Sequence, residues 1–148
     1  MLAHTNELLV ATDAPRFASC TMLRVDPRDG QVTGSSAGHV PLLLCHRDGS
    51  HDIRELPGGP VLGVLPDAEY PEDTFELDRD CALVMVTDGV VEGPGLTLDA
   101  GLQQAGTLAA QALQDGLNIE ETADRVLSAA DTVDHLDDVA VLVIRRTR

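Results

Sequence analysis

Aromatic side chains are scarce in this sequence of 148 residues, which has no Trp, one Tyr and two Phe. A hydrophobic core must therefore be built from Leu, Val and Ala, and no row of aromatic rings can stack on single-stranded nucleic acid. Basic residues are also few, with 10 Lys and Arg against 25 Asp and Glu, for a formal net charge of −15. Phosphate backbones and anionic membrane surfaces would be repelled, so we expect neither nucleic acid nor a membrane as a partner.

Cysteine occurs only three times, as Cys20, Cys45 and Cys81, and no two of these have the C-x-x-C spacing of a zinc or redox site. An odd number of cysteines, no signal-like N-terminus and no long apolar run predict a cytoplasmic protein with buried free thiols. With 43% hydrophobic residues, the chain can bury a core of ordinary size. Its length predicts one domain over residues 1–148.

Alternating apolar and polar residues predict a series of short strands in the first part of the chain. A weakly amphipathic helix is expected before Pro15, followed by strands at residues 17–25, 31–37, 42–46, 53–56 and 74–77. Between the last two strands, residues 56–71 are rich in Pro and Gly and predict an ordered surface loop.

Helical spacing appears only in the last third of the chain. Apolar residues recur at this spacing over residues 98–113, and Asn118 with Glu121 forms a capping-box pattern at the start of a second helix. A final strand is predicted at residues 139–144. Strands, then a helix pair, then one strand predict an α+β layered sandwich.

The acidic residues of greatest chemical interest lie at the ends of two predicted strands. Residues 82–86 predict a strand buried on both faces, with Asp88 at its end and Gly89 permitting a sharp turn. Asp137 and Asp138 immediately precede the final strand. If these two strands are antiparallel neighbours, the carboxylates fall at one edge of the sheet, an arrangement that hard divalent cations favour.

Four segments in succession resemble the landmarks of a known family: SAGHVPLLL at residues 36–44, GPVLGV at 59–64, VTDGVVE at 86–92 and DDVAVLV at 137–143. They resemble the SpoIIE/RsbU branch of the metal-dependent (PPM, or 2C-like) serine/threonine protein phosphatases. The resemblance implies an antiparallel β-sandwich flanked by helices, with two Mn²⁺ or Mg²⁺ ions at one end. It also implies hydrolysis of phosphoserine or phosphothreonine, typically on an anti-sigma-factor antagonist in a partner-switching circuit.

Mapped by motif, the resemblance implies that Asp88 and Asp137 are ligands of the same metal, with Gly89 and Asp138 as additional candidates. No covalent nucleophile is implied, because two cations sharing a water can generate the attacking hydroxide. Two earlier motifs of the family, each supplying a further acid, do not occur in this sequence. The resemblance therefore implies that the N-terminal part of the domain is missing and that this chain carries about half of the metal site.

Two classes of function follow from these observations. One is a metal-dependent phosphoprotein phosphatase, and the other is a catalytically incomplete regulatory module that docks a partner through the loop at residues 57–71 and the helix pair. Absent strands would leave sheet edges uncovered, which predicts either a fragment of a longer phosphatase or a homodimer. His39 is predicted to be structural, with its ring bonded to the backbone, and His135 to lie on a loop surface.

Overall fold

The computed structural model describes residues 1–12, 16–130 and 138–146. They divide into two compact units, the first made of Met1–His39 and Leu56–Glu76, the second of Val40–Glu55 and the described residues from Leu77 onward. Each unit contains one four-stranded sheet and at least one helix. The predicted α+β class is confirmed, whereas the assignment of residues 1–148 to one domain stays a prediction.

In chain order, the elements are α1 (Leu2–Val10), β1 (Cys20–Val25), β2 (Gln31–Ala37), β3 (Leu42–Cys45), β4 (His51–Arg54), β5 (Gly58–Gly59), β6 (Asp73–Glu76), β7 (Ala82–Val86), α2 (Asp88–Val91), α3 (Leu98–Gln114), α4 (Ile119–Ala130) and β8 (Val141–Arg145). In the described ranges, no helix has the length and apolar character needed to cross a membrane.

In the first unit, β2 is the central strand of the sheet. It pairs antiparallel with β1 along one side, and along the other side with β6 and, in parallel, with the short β5. Helix α1 packs on one face through Leu2 and Leu9, which cluster with Ala37 and Leu62. The buried Asn6 of α1 fixes the neighbouring loop, since its amide donates to the Leu65 carbonyl at 3.0 Å and accepts from the Gly63 N–H at 2.8 Å.

In the second unit, four antiparallel strands lie in the order β4, β3, β7, β8. Val84 and Val86 of β7 join the core cluster that contains the helices, while Leu83, which precedes Val84 and projects from the opposite face, is also fully buried. This confirms that β7 is buried on both faces. Because aromatic residues are lacking, α3 packs through small residues, including Gly101, Ala105 and Ala109.

Local sequence signals predicted the helix ends correctly. The predicted capping box forms with both reciprocal bonds: the Asn118 N–H donates to the Glu121 carboxylate and the Glu121 N–H to the Asn118 side-chain oxygen, each at 2.9 Å. Helix α3 ends at Gln114, and Gly116 follows with a positive φ of 76°. A glycine adopts this left-handed conformation without the steric cost that a side chain brings.

Several element boundaries differ from those predicted. Strand β1 begins at Cys20 rather than residue 17, and Phe17 is 74% exposed. Strand β4 lies two residues earlier than expected, at His51–Arg54, and β8 at Val141–Arg145 begins two residues later than expected. Two short elements, α2 and β5, were not predicted, because four and two residues are too few to show a repeating pattern.

Gly101→Ala is expected to destabilise the second unit, because a Cβ at this position would overlap the backbone carbonyl of Val91 in α2. Backbone atoms cannot rotate away, so we expect a loss of about 1–3 kcal/mol, the usual cost of an overpacked core. Urea unfolding followed by circular dichroism measures it. Gln111→Ala, on the exposed face of the same helix, is the control and should change stability by less than about 0.5 kcal/mol. Equal stability of Gly101→Ala and the wild type would contradict the close packing of α2 on α3.

Candidate metal-binding edge

Asp88 stands at the point where β7 ends and the one-turn helix α2 begins. Thr87 is the N-cap residue of α2, in extended conformation, and Asp88 is the first helical residue. The next three residues, Gly89, Val90 and Val91, are buried, and they anchor the turn while Asp88 itself stays exposed. The Gly89 N–H donates to the Asp88 Oδ1 atom at 2.9 Å, which orients the carboxylate at the edge of the sheet.

The side chain of Thr87 joins this edge to the segment before β8. Its hydroxyl donates to the Asp138 carbonyl at 2.8 Å and accepts from the Ala140 N–H at 2.9 Å. The Thr87 N–H donates in turn to the Ala140 carbonyl at 3.1 Å. Strands β7 and β8 pair antiparallel in the register Val86↔Val141, so the expected neighbourhood of the two strands is confirmed.

Three of the four predicted site residues, Asp88, Gly89 and Asp138, are thereby brought to one edge, and the fourth cannot be placed. Asp88 follows the end of β7, and Asp138 lies beside it, tied by its backbone to Thr87. Both acids are exposed to solvent. Asp137 lies outside the described residues, as does His135, and their predicted roles stay predictions.

The carboxylate groups at this edge are of the chemical type that binds a hard divalent cation. Carboxylate oxygens are the side-chain ligands that Mg²⁺ and Mn²⁺ prefer, and their exposure leaves room for water ligands. In the described part of the chain, however, no group of three or more His, Cys, Asp or Glu is placed to hold a metal ion. Asp88 and Asp138 therefore offer a partial ligand set.

His39 lies in a turn within the landmark segment at residues 36–44, and this turn contacts the landmark segment at residues 59–64. The ring Nδ1 atom of His39 is 3.0 Å from the Ser19 hydroxyl, and the backbone N–H of His39 donates to the Ser36 hydroxyl at 3.3 Å. The expected bond from the ring to the backbone was wrong, since the ring's partner is a side chain. Gly38 before it has a φ of 66°, and a Cβ there would lie 2.5 Å from Val61 Cγ1, so the turn and the segment at residues 59–64 are in contact.

A second cluster of titratable groups was not predicted from the sequence. His46 follows β3, and its ring lies between the Cys81 thiol, 3.3 Å from Nδ1, and the Asp52 carboxylate, 3.0 Å from Nε2. No spacing in the sequence reveals this contact, because Cys81 lies 35 residues after His46 in the chain. Only the pairing of β3 with both β4 and β7 brings the three side chains together.

The order thiol, imidazole, carboxylate is that of a nucleophilic site, but the thiol is not activated. Burial raises the pKa of Cys81, and the charges of Asp78, Asp80 and Asp48 raise it further. Burial likewise raises the pKa of the nearby Cys45 to about 12. Because nucleophilic attack requires the thiolate, this cluster does not fit covalent catalysis.

Comparison with known proteins identifies the family. The sequence matches the family described as Stage II sporulation protein E (SpoIIE) over residues 1–147. The chain belongs to the SpoIIE family. The resemblance inferred from the four landmarks is thereby confirmed.

Individual SpoIIE-like proteins are longer than this chain. Protein IcfG of Synechocystis sp. is 27% identical over 81 residues, which are 54% of this chain and 12% of IcfG. The solved RsbU and RsbW domains of Rv1364c from Mycobacterium tuberculosis are 25% identical, with a TM-score of 0.83, over 96% of this chain and 40% of that one. The Mn-presoaked SpoIIE phosphatase domain of Bacillus subtilis is 18% identical, with a TM-score of 0.63, over 88% of this chain and 57% of that one. The fold is thus that of phosphatase domains of this family, and the chain spans about half or less of each relative.

Thr87→Val is expected to loosen the metal-binding edge. The substitution keeps the shape of the side chain but leaves the Asp138 carbonyl and the Ala140 N–H without this partner, which should cost about 0.5–1.5 kcal/mol of stability because both groups are exposed and can bond to water. Hydrogen exchange at Ala140 should become faster, as measured by NMR. Thr87→Ser retains the hydroxyl and should exchange nearly as slowly as the wild type. Unchanged exchange in Thr87→Val would show that the hydroxyl does not hold this segment.

The three cysteines are all free thiols, as expected, but only Cys45 and Cys81 are buried, whereas Cys20 is half-buried. We expect iodoacetamide at about pH 8 to modify Cys20 first, because the other two are both covered and held as neutral thiols. The pKa of Cys45 is higher in the folded protein than in the unfolded chain. The neutral Cys45 thiol therefore stabilises the folded state at any pH below the pKa of a free thiol, and this stabilisation is lost as the pH rises toward about 12. Peptide mass spectrometry with and without guanidinium measures the order. Rapid native modification of Cys45 would contradict it.

Proposed function

We propose that this chain supplies part of the active site of a Mn²⁺- or Mg²⁺-dependent phosphoprotein phosphatase that acts on phosphoserine or phosphothreonine. The observation that carries the proposal is that Asp88 lies at the same edge as the backbone of Asp138, which Thr87 holds there, within a chain of the SpoIIE family. The proposed metal is supported by a similar protein, the SpoIIE phosphatase domain of B. subtilis, whose structure was solved after presoaking with Mn. When bound, such cations would activate water and screen the charge of the phosphoryl group.

The chain's own residues would contribute position and charge. Asp88 would bind the cation through the carboxylate that the Gly89 N–H orients. Asp137 would be a ligand of the same ion, by its match to the family motif, and Asp138 would be a further candidate at the same edge. No side chain is assigned as a nucleophile, which agrees with the raised pKa of Cys81.

The remaining ligands would come from outside these residues. The chain spans 40% of the solved M. tuberculosis protein, so we propose that the site is completed within a longer polypeptide or by a second copy of the chain. Strand β1 pairs only with β2 in the described sheet, and its other edge would suit a homodimer. A phosphorylated anti-sigma-factor antagonist in the cytoplasm is the proposed substrate, supported by the RsbU and RsbW domains of the same relative.

A regulatory binding module is the second candidate. It is favoured by the absence of a three-ligand cluster in the part of the chain that the structure describes. The loop at residues 57–71 also exposes two apolar side chains, Val64 at 58% and Leu65 at 54%, which are suited to contact a partner protein. In this case the acidic edge would be a remnant without catalytic use.

Calorimetric titration with Mn²⁺, together with hydrolysis of p-nitrophenyl phosphate, tests whether this chain is a phosphatase by itself. If the chain binds metal, Asp88→Asn should weaken binding at least about tenfold, because even partners of metal ligands contribute that much. Asp99→Asn, an exposed acid in the first turn of α3, is the matched control and should leave binding unchanged. Binding and turnover that are both lost in Asp88→Asn support the phosphatase. Neither binding nor turnover in the wild type would mean that this chain alone is an incomplete or regulatory phosphatase domain.

A further inference from the structure

Strand β8 leaves one side of the second sheet open among the described strands. It lies at the end of the order β4, β3, β7, β8 and pairs there with β7 alone. The Thr87 N–H donates to the Ala140 carbonyl, and the bonds of an antiparallel strand alternate between its two sides. The backbone N–H and C=O groups of Val141 and Val143 therefore point away from β7. Such a row of backbone groups is a template for pairing with a further strand.

An apolar side chain is exposed in the middle of this open strand. Leu142 is 54% exposed, whereas its neighbours Val141 and Val143, on the opposite face, pack against the core that contains the helices. Edge strands are commonly protected from pairing by charged side chains, and in β1 the only exposed residue is Arg24. Strand β8 has no charged residue at its centre, so its edge is better suited to pairing than the edge of β1.

Opposite charges lie at the two ends of the same segment. Asp138 precedes β8 and is exposed, and Arg146 directly follows it and is half-buried. Because successive side chains of an extended segment alternate between faces, Asp138, Leu142 and Arg146 share one face. A second copy of the segment, antiparallel and related by a two-fold axis at Leu142, would place each Asp138 opposite an Arg146. The same register would place Leu142 opposite its own copy.

We propose that β8 pairs with β8 of a second copy of this chain, antiparallel and in the register centred on Leu142. This register also sets Val141 opposite Val143 of the second copy, so that the open backbone groups of the two edges meet. A contact of this kind uses the same surface on both copies and closes after two, so it does not grow into a fibre. The proposal goes beyond the phosphatase function, since its test requires neither metal nor turnover.

The charge of the whole chain opposes self-association, and the local charges at β8 favour it. Two copies with a net charge of −15 each repel one another at long range, but salt screens this repulsion beyond about 8 Å at physiological ionic strength. At short range, Arg146 would face Asp138. One N–H of its guanidinium donates to the Leu77 carbonyl at 3.1 Å, which holds the group beside the strand, and a guanidinium has five N–H donors. A single strand pair is a small interface, so we expect a weak dimer.

Sedimentation velocity of the whole chain over a series of concentrations, in about 0.15 M salt, measures the dimer. The wild type should shift from monomer to dimer as its concentration rises. Leu142→Lys should weaken the dimer at least about tenfold, because it sets two like charges directly opposite each other and removes the apolar contact. Leu8→Lys, at a 59% exposed leucine of α1 in the first unit, is the matched control and should dimerise like the wild type.

Charge reversal tests the register. Asp138→Arg and Arg146→Asp each place like charges at both ends of the paired strands, so neither variant should dimerise alone. An equimolar mixture of the two variants should form heterodimers, because each introduced charge then faces an opposite one. Circular dichroism of each variant verifies that it remains folded.

Three results would contradict the proposal. A wild-type chain that stays monomeric at every concentration would leave this edge to a strand of another polypeptide. A dimer that persists unchanged in Leu142→Lys would use another surface, such as the edge of β1. Folded charge-reversal variants that fail to associate when mixed would exclude the register centred on Leu142.

Discussion

The hydroxyl group of Thr87 is the interaction on which the acidic edge depends. The ladder between β7 and β8 ends at the pair Val86↔Val141, and one further backbone bond joins the Thr87 N–H to the Ala140 carbonyl. Beyond it, one side chain accepts from Ala140 and donates to Asp138, and so extends the alignment of the two chain segments past the end of the sheet. A single small polar residue thus joins the end of β7 to a backbone segment about fifty residues away in the sequence.

Bringing acids together costs free energy in a chain that already carries a net charge of −15. The second unit can support this arrangement because four of the five residues of β7 are buried and α2 is anchored by Val90 and Val91. A divalent cation bound at this edge would offset part of its negative charge.

Sequence patterns predicted those features that local chemistry determines. The capping box at Asn118 formed as expected because both of its bonds lie within four residues. The acidic edge was predicted only on the condition that two distant strands pair, since no local signal reports a register. Helix α2 was not predicted because its two valines favour strands. Its backbone packs closely on α3 at Gly101, a contact that no local sequence signal reports. The contact of His46 with Cys81 and Asp52 depends in the same way on the order of strands in the sheet.

The scarcity of aromatic residues has a further consequence for how this protein can be observed. With no Trp and a single Tyr, intrinsic fluorescence arises essentially from Tyr70, in the first unit. An unfolding transition followed by fluorescence would therefore report the melting of α1 and its sheet and would be silent on the unit that carries Asp88. Circular dichroism records both units, so a mismatch between the two signals would reveal whether they unfold together.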